Sequence, residues 1–235
     1  MSKRHSLGQH FLTSSQIAHS IVDFAGIKKS DVVLEVGTGK GILTPYLCTQ
    51  ARTVISIEKD SNLYREAKKK FRGIKNLALE HGDAFEREDI DFDIFVSNLP
   101  YSESRNAIEW LVQRKFSRAV IMVQKEFAQK LFSKGGGYRK AVTVMASYCM
   151  DMEKLMDVAK NNFQPPPKVD SVVMVLKQRK TLSKDVLSAV NTLFSFRRKT
   201  IRNIARKFGI LTESDKRLEE LSDSEIIEFA KKIIK

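Results

Sequence analysis

The stretch Ser97-Asn98-Leu99-Pro100-Tyr101 places a carboxamide, a chain-stiffening proline and an aromatic ring within four residues, at the end of an apolar run and directly before a helical pattern. A carboxamide can grip the hydrogen-bonding edge of a flat base while an aromatic ring covers its face. A second chemical stretch, Gly37-Thr38-Gly39-Lys40-Gly41, follows an apolar run and precedes a helical one. Glycine lets the main chain turn sharply and approach a ligand closely, and the start of a helix offers unpaired amides. The Gly-x-Gly-x-Gly spacing is neither the dinucleotide Gly-x-Gly-x-x-Gly nor a phosphate loop ending in Gly-Lys-Ser/Thr. Taken alone, such a turn serves equally as a mere tight connection. About twenty residues beyond it, Glu58 ends another apolar run, where an acid can accept hydrogen bonds from both hydroxyls of a ribose. Farther on, Asp83 in Gly82-Asp83-Ala84 either accepts from an adenine amino group or caps a turn.

The elements between these residues decide whether they can meet. Asp31 to Val36, Thr53 to Ile57, Leu77 to Glu80 and Asp91 to Val96 read as short, mostly apolar strands, of the kind a parallel sheet buries on both faces. Helical patterns separate them: Ile42 to Leu47, the charged Ser61 to Phe71, and Glu103 to Gln113. A further strand, Ser117 to Val123, and a helix, Lys125 to Phe132, continue the alternation, which predicts an α/β fold. In an open α/β sheet, ligands bind outside the carboxyl ends of the strands. The glycines, Glu58, Asp83 and the Asn98 turn are therefore expected in one crevice. Strands near Lys154 to Ala159 and Val172 to Leu176 complete a seven-stranded reading with an antiparallel final hairpin.

Composition narrows the partners. The chain has 235 residues, 42% of them hydrophobic, enough for one main domain and a small appendage. Its 41 basic and 28 acidic residues give a net charge of +13, which points to a polyanionic partner or an acidic membrane surface. No stretch reaches the ~18 to 20 apolar residues of a membrane span, and the start of the chain is polar, so a cytoplasmic, non-membrane protein is expected. Cys48 and Cys149 are isolated and the four histidines have no ligand spacing with them, so neither a disulfide nor a metal is expected.

Three further stretches carry open readings. The basic arm ends in Gly8-Gln9-His10-Phe11-Leu12 and reads most simply as a flexible arm whose Phe11 and Leu12 plug the core; Ser14 or Ser15 can cap the helix after it. Gly135-Gly136-Gly137, flanked by Lys134, Arg139 and Lys140, reads as a linker or a basic flap. Phe163 precedes Pro165-Pro166-Pro167, whose stiffness could present the ring, although aromatics are more often core. The tail from Leu176 has 15 basic and 8 acidic residues, a net +7. Within it, Ser195 to Lys207 holds six basic residues and no acid, interleaved with Phe196, Ile201, Ile204 and Ala205 at helical spacing. One face would pack and the other would meet phosphate. Ser222 or Ser224 can cap a closing helix.

Taken in order, Gly8 to Leu12, Glu35 to Gly41, Gly82 to Ala84, Asn98 to Tyr101, Phe163 to Ser171 and Phe196 to Asn203 make the chain resemble the KsgA-type small-subunit rRNA adenine N6-dimethyltransferases across nearly its whole length, and more distantly the Erm 23S rRNA methyltransferases. The resemblance implies a Rossmann-like seven-stranded methyltransferase domain over residues 1–177, binding S-adenosyl-L-methionine, and a basic helical RNA-binding domain over residues 178–235. It implies that His10 and Leu12 line the cofactor's entrance; His10 stands where many relatives have Asn. Gly37, Thr38 and Gly39 would face the methionine part, Glu58 with Lys59 beside it the ribose, and Asp83 and Ala84 the adenine. The target base would meet Asn98, Leu99, Pro100, Tyr101 and Phe163. Arg197, Arg198, Lys199, Arg202 and Arg206 would bind RNA.

An adenine N6 amine is a poor nucleophile because its lone pair is delocalised, whereas a sulfonium methyl is already activated, so positioning must supply the rate. Acceptance of the two amine hydrogens by the Asn98 side-chain oxygen and the Leu99 carbonyl would favour a pyramidal nitrogen. The expected activity is dimethylation of two adjacent adenosines near the 3′ end of small-subunit rRNA by a monomer acting on that RNA or on a pre-ribosomal small subunit. Alternatives are an Erm-type large-subunit enzyme, a DNA adenine methyltransferase, or a non-catalytic ribosome-assembly factor.

Overall fold

The computed structural model describes residues 9–133 and 139–234, so the glycine run and the basic arm ahead of Gln9 lie outside the described residues. Two compact units divide the chain. Of the described residues, one unit holds those up to Ala107 with Lys115–Ala128 and Met152–Lys177, and the other those of Ile108–Arg114, Gln129–Asp151 and the chain from Gln178 onward. The helical unit takes the chain from Gln178 onward together with two segments from the middle of the sequence.

In the first unit, β1 (Phe11–Leu12) leads to α1 (Ser15–Ala25), whose N-terminus is capped by the Ser14 hydroxyl accepting from Ile17 N–H. The alternation then runs β2 (Val32–Val36), α2 (Thr44–Gln50), β3 (Thr53–Glu58), α3 (Ser61–Lys70), β4 (Leu77–His81) and β5 (Ile94–Asn98). After α4 (Ser104–Leu111) come β6 (Arg118–Gln124) and α5 (Lys125–Phe132). Beyond α6 (Ala141–Cys149) lie β7 (Met150–Val158), β8 (Phe163–Gln164) and β9 (Ser171–Gln178).

Seven strands form one sheet in the order β4-β3-β2-β5-β6-β9-β7. Strands β4, β3, β2, β5 and β6 pair in parallel, with Glu35 beside both Ser56 and Val96, and β9 runs antiparallel to β6 with Ser171 opposite Gln124. The strand order reverses direction between β2 and β5, so the carboxyl ends of these two strands open a crevice. Val33, Val54, Ile94, Val96, Val120 and Met122 are buried with Ala18, Ile21 and Val22 of α1 in one core. Each fully buried side chain of this size contributes roughly 1.5–3 kcal/mol, which fixes the strand register and with it the crevice.

Two expectations about this unit change. Strand β5 continues through Ser97 and Asn98, because the Ser97 hydroxyl donates to the Val36 carbonyl at 2.5 Å and holds the strand beside β2 to its end. Phe163 is not presented: it is only 4% exposed and belongs to the core, because it sits in β8, which pairs with β1 so that Leu12 lies opposite Phe163. The arm and the proline segment, about 150 residues apart in sequence, therefore form one small sheet, tied further by Thr13 N–H donating to the Asn162 carbonyl at 2.8 Å. Leu12 sits in the core as expected of the arm, whereas Phe11 is only half-buried.

The second unit packs α6, α7 (Lys184–Ser195) and α9 (Asp223–Ile233) against one another. Helix α7 is capped by Ser183 and α9 by Ser222, the latter in a reciprocal box with Glu225. Between them α8 (Ile201–Lys207) buries Ile201, Ile204 and Ala205. The basic stretch is not one helix: α7 stops at Ser195, Phe196 closes it, and Thr200 takes an extended conformation and caps α8 through Asn203 N–H. Arg197, Arg198 and Lys199 consequently occupy the turn between helices.

Candidate active site

Beneath the glycine loop lies a buried polar network. Glu35, 1% exposed, is the acid inside the otherwise apolar β2, and its Oε2 accepts from Thr44 Oγ1 at 2.8 Å and Ser56 Oγ at 2.5 Å. Ser56 spends its single proton on that carboxylate, so the Thr38 hydroxyl, 2.7 Å away, donates to Ser56. Burial pushes the Glu35 carboxyl up to about 7 against the opposing effect of these two donors. Together they fasten the start of the loop to β2 and β3.

Gly37, Gly39 and Gly41 all have positive φ, and two of them show what the absent side chain allows. Gly37 has φ +82°, and a Cβ there would meet no atom of the described residues within 4 Å, so the main chain borders open space among them. Gly41 has φ +68°, and a Cβ there would stand 2.3 Å from the Phe71 ring, so α3 can lie against the loop only if that residue has no side chain. Between them the Gly39 N–H donates to Glu58 Oε2 at 2.8 Å. Glu58 Oε1 accepts from Asp60 N–H, also at 2.8 Å. Glu58 is thus the peg joining the loop to the end of β3, and burial raises its carboxyl above the ordinary range.

Asp83 serves as the cap that one reading of the sequence offered: Oδ1 accepts from Phe85 N–H at 3.0 Å and opens the single helical turn Ala84–Glu86. Its Oδ2 is held by Lys59 Nζ at 2.6 Å, and this contact raises the lysine's pKa. Each carboxylate oxygen retains a second acceptor site, so capping does not prevent Asp83 from receiving an amino group.

Two cavities meet at this edge. One is lined by His10, Leu12, Gly37, Thr38, Gly39, Glu58, Asn98 and Pro100. The other is lined by Gly37, Glu58, Lys59, Asp83, Ala84, Leu99 and Pro100. Residues from five parts of the sequence are thereby brought to one cleft, as the sheet topology required. Asn98, at the end of β5, is half-buried, and its carboxamide makes no hydrogen bond among the described residues. Tyr101 is also half-buried; its hydroxyl lies 2.8 Å from Ser171 Oγ and its ring centroid 5.5 Å from that of His10. Phe163 lines neither cavity.

In the second unit the basic residues sort into separate groups. Arg202 is half-buried and ion-paired with Asp215 and, at 3.7 Å, with Glu213. Arg139, with a side chain 10% exposed, is ion-paired with Asp223 and donates to the Leu221 carbonyl. Lys199 and Lys207 sit over the Phe196 ring, at 5.6 and 5.1 Å from its centroid. Arg206 is exposed on α8. Arg197, Arg198 and Arg217 are exposed, have no ion pair among the described residues, and line one pocket together with Phe194.

Sequence reasoning missed Glu35 with its two hydroxyl partners, Ser171, and Arg217. An acid embedded in an apolar strand was a usable signal for the first. Nothing local marked the other two: Arg217 reaches the basic turn through the bridge between Thr200 and Arg217.

A family model described as ribosomal RNA adenine dimethylase matches residues 1–227. Over 241 residues the chain is 36% identical to a Thermotoga petrophila protein named ribosomal RNA small subunit methyltransferase A, covering 98% of this chain and 91% of that one. A solved dimethyladenosine transferase from Plasmodium falciparum matches with a TM-score of 0.79 and 28% identity over 94% of this chain and 96% of its own. The structure of ErmE, a 23S rRNA methyltransferase, matches with a TM-score of 0.66 and 25% identity over 96% of this chain and 100% of its own. Family model, sequence relatives and architecture agree, and the chain belongs to the ribosomal RNA adenine dimethylase family.

Proposed function

We propose that this protein transfers methyl groups from S-adenosyl-L-methionine to the N6 amine of two adjacent adenosines near the 3′ end of small-subunit rRNA. The observation that carries the reading is Asn98: a carboxamide with no hydrogen bond among the described residues, at the carboxyl end of β5 and on the wall of the cavity that also holds Gly37, Gly39 and Glu58.

The cleft suits the cofactor by the chemistry of its donor set. Gly37 borders free space that any side chain would occupy, Glu58 offers buried acceptor oxygens for a diol, and Asp83 beside the Ala84 main chain offers an acceptor for an aromatic amine. When bound, the cofactor supplies a methyl group already activated on a sulfonium. The protein's part is then to place a weak nucleophile. Asn98 Oδ1 and the Leu99 carbonyl accept the two amine hydrogens and turn the nitrogen lone pair toward the methyl, and Tyr101 supports the face of the ring. These fixed dipoles also meet the positive charge that develops on nitrogen. The proton leaves afterwards without a dedicated base, because a methylated arylammonium is strongly acidic.

RNA as the substrate is supported by the net charge of +13 and by the exposed guanidinium groups of Arg197 and Arg198, which have no ion pair among the described residues and are suited to phosphate. The small-subunit reading is the better supported one, since the relatives named ribosomal RNA small subunit methyltransferase A are 36% and 37% identical over 98% and 96% of this chain.

Incubating the protein with labelled cofactor and unmethylated small subunits should yield dimethylated adenines that map near the 3′ end of their RNA. Asn98→Ala should lower turnover by about 10²–10³, the scale for removing a transition-state hydrogen-bonding group, with cofactor affinity kept within a few-fold. Methyl groups found only on large-subunit RNA, or on DNA, would point to the other enzyme readings. No transfer at all would leave an assembly factor.

A further inference from the structure

We propose that Ser171 is a positioning residue for Tyr101, a buried hydroxyl that sets the plane of the aromatic ring before the target base arrives. The inference rests on Tyr101 being the base's platform. Ser171 begins β9, 70 residues after Tyr101, and is fully buried, with its Oγ 2.8 Å from the tyrosine hydroxyl. The approach to that strand is pinned twice at the preceding residue: the Asp170 carbonyl accepts from Lys125 N–H and the Asp170 carboxylate from Lys160 N–H, both at 3.0 Å. Ser171 itself lies in register with Gln124 of β6. Its hydroxyl is therefore a fixed point on the sheet.

A tyrosine ring has two side-chain torsions to settle. A hydrogen bond at the hydroxyl, which lies on the ring axis, fixes where that axis points. The phenolic oxygen, conjugated with the ring, prefers its hydrogen bond near the ring plane, which also resists rotation about the axis. His10 adds a second restraint, its ring tilted 33° to that of Tyr101. It does not drift, because its Nδ1 lies 2.8 Å from the Pro165 carbonyl. A carbonyl can only accept, so Nδ1 carries the proton. At the other end of the residue, the Tyr101 carbonyl accepts from Ser104 Oγ at 3.1 Å. Stacking is lost steeply when one ring tilts from the other, so a preset ring spares the substrate the cost of ordering it.

The test is a double-mutant cycle on the full-length protein. Ser171→Ala and Tyr101→Phe should each lower kcat by about tenfold with the cofactor's KM unchanged, and the double variant should be no worse than either alone, since both remove the same tie. Effects that multiply, or a parallel rise in the cofactor's KM, would overturn the proposal and leave Ser171 a packing residue. A second readout uses RNA with 2-aminopurine at the methylated position, whose fluorescence falls on stacking. Tyr101→Ala should abolish the quenching seen with the wild-type protein, and Ser171→Ala should reduce it. Unchanged quenching in Ser171→Ala counts against the positioning role alone. Unchanged quenching in Tyr101→Ala removes the platform itself, and with it this inference.

Discussion

The cleft of the first unit and the basic turn of the second hold their polar groups in opposite ways. In the cleft, most functional side chains are already engaged with one another or with the main chain: Glu58 with Gly39 and Asp60, Asp83 with Phe85 and Lys59, Glu35 with Ser56 and Thr44. In the basic turn, Arg197, Arg198 and Arg217 have no ion pair among the described residues. The contrast fits the two kinds of ligand proposed above. A small molecule read atom by atom needs acceptors held in place in advance, because each misplaced group loses a directional hydrogen bond. A polyanion is held by field and counterion release, which work through exposed, adaptable charges. Substitutions in the cleft should therefore act through geometry and be indifferent to salt, whereas those in the turn should act through salt-dependent affinity.

Glu58→Gln tests the first half of this contrast most sharply. Both carboxylate oxygens accept from main-chain N–H groups, and an amide can offer only one oxygen. Either the Gly39 or the Asp60 N–H then faces an NH₂ group, so the loop loosens and the acceptor proposed for the cofactor's diol is lost. Hydrogen bonds to charged groups are worth about 1.5–3 kcal/mol each, so cofactor affinity measured by calorimetry should fall by at least about tenfold, to a similar extent at low and high salt. A loss that vanished at high salt would break the distinction.

Glu35 offers a test through pH. Its carboxyl is held near 7 in the native state against an ordinary value of 4.5, so the folded protein keeps a proton that the unfolded chain releases across that window. The contribution is complete below pH 4.5 and fades as pH rises to about 7, reaching a loss of about 3 kcal/mol. Glu35→Gln carries no such proton, and its amide oxygen can still accept from Ser56 and Thr44. Urea unfolding should show the variant gaining stability relative to the wild type as pH rises from 4.5 to 7. Parallel curves would mean that Glu35 is ionised in the native state.

Much of this was legible in the residues because periodicity reports burial. Apolar runs such as Val32 to Val36, buried from Val33 onward, could only be interior strands, and the rule that ligands gather at strand ends then placed Glu58 and Asn98 together. Helix α6 was overlooked for a related reason. All but two of its nine residues are buried, so it shows no polar face and no 3.6-residue rhythm to detect. Phe163 was misjudged because the stiffness of the prolines was visible and the pairing of β8 with β1 was not; a two-residue strand has no pattern of its own. The basic tail hid its internal pairing, since charge counts cannot tell an arginine facing solvent from one tied to an acid thirteen residues away, as Arg202 is to Asp215.

That last distinction yields the predictions of smaller effect. Replacing Arg197, Arg198 or Arg217 by Ala should each weaken binding to small-subunit RNA and lower the slope of log affinity against log salt by about 1. Glu219 lines the same pocket and opposes an incoming phosphate, so Glu219→Gln should strengthen binding modestly. Arg202 is the control that can break the scheme. Its guanidinium is shared between Asp215 and Glu213, both already anionic, so it has little charge left to release counterions from RNA. Arg202→Ala should leave the salt slope nearly unchanged and cost about 1 kcal/mol or less of stability, the scale of a partly exposed pair. If Arg202→Ala lowered the slope as much as Arg217→Ala does, the internal pairing would not decide which arginines meet RNA, and the basic tail would have to be read as one undivided surface.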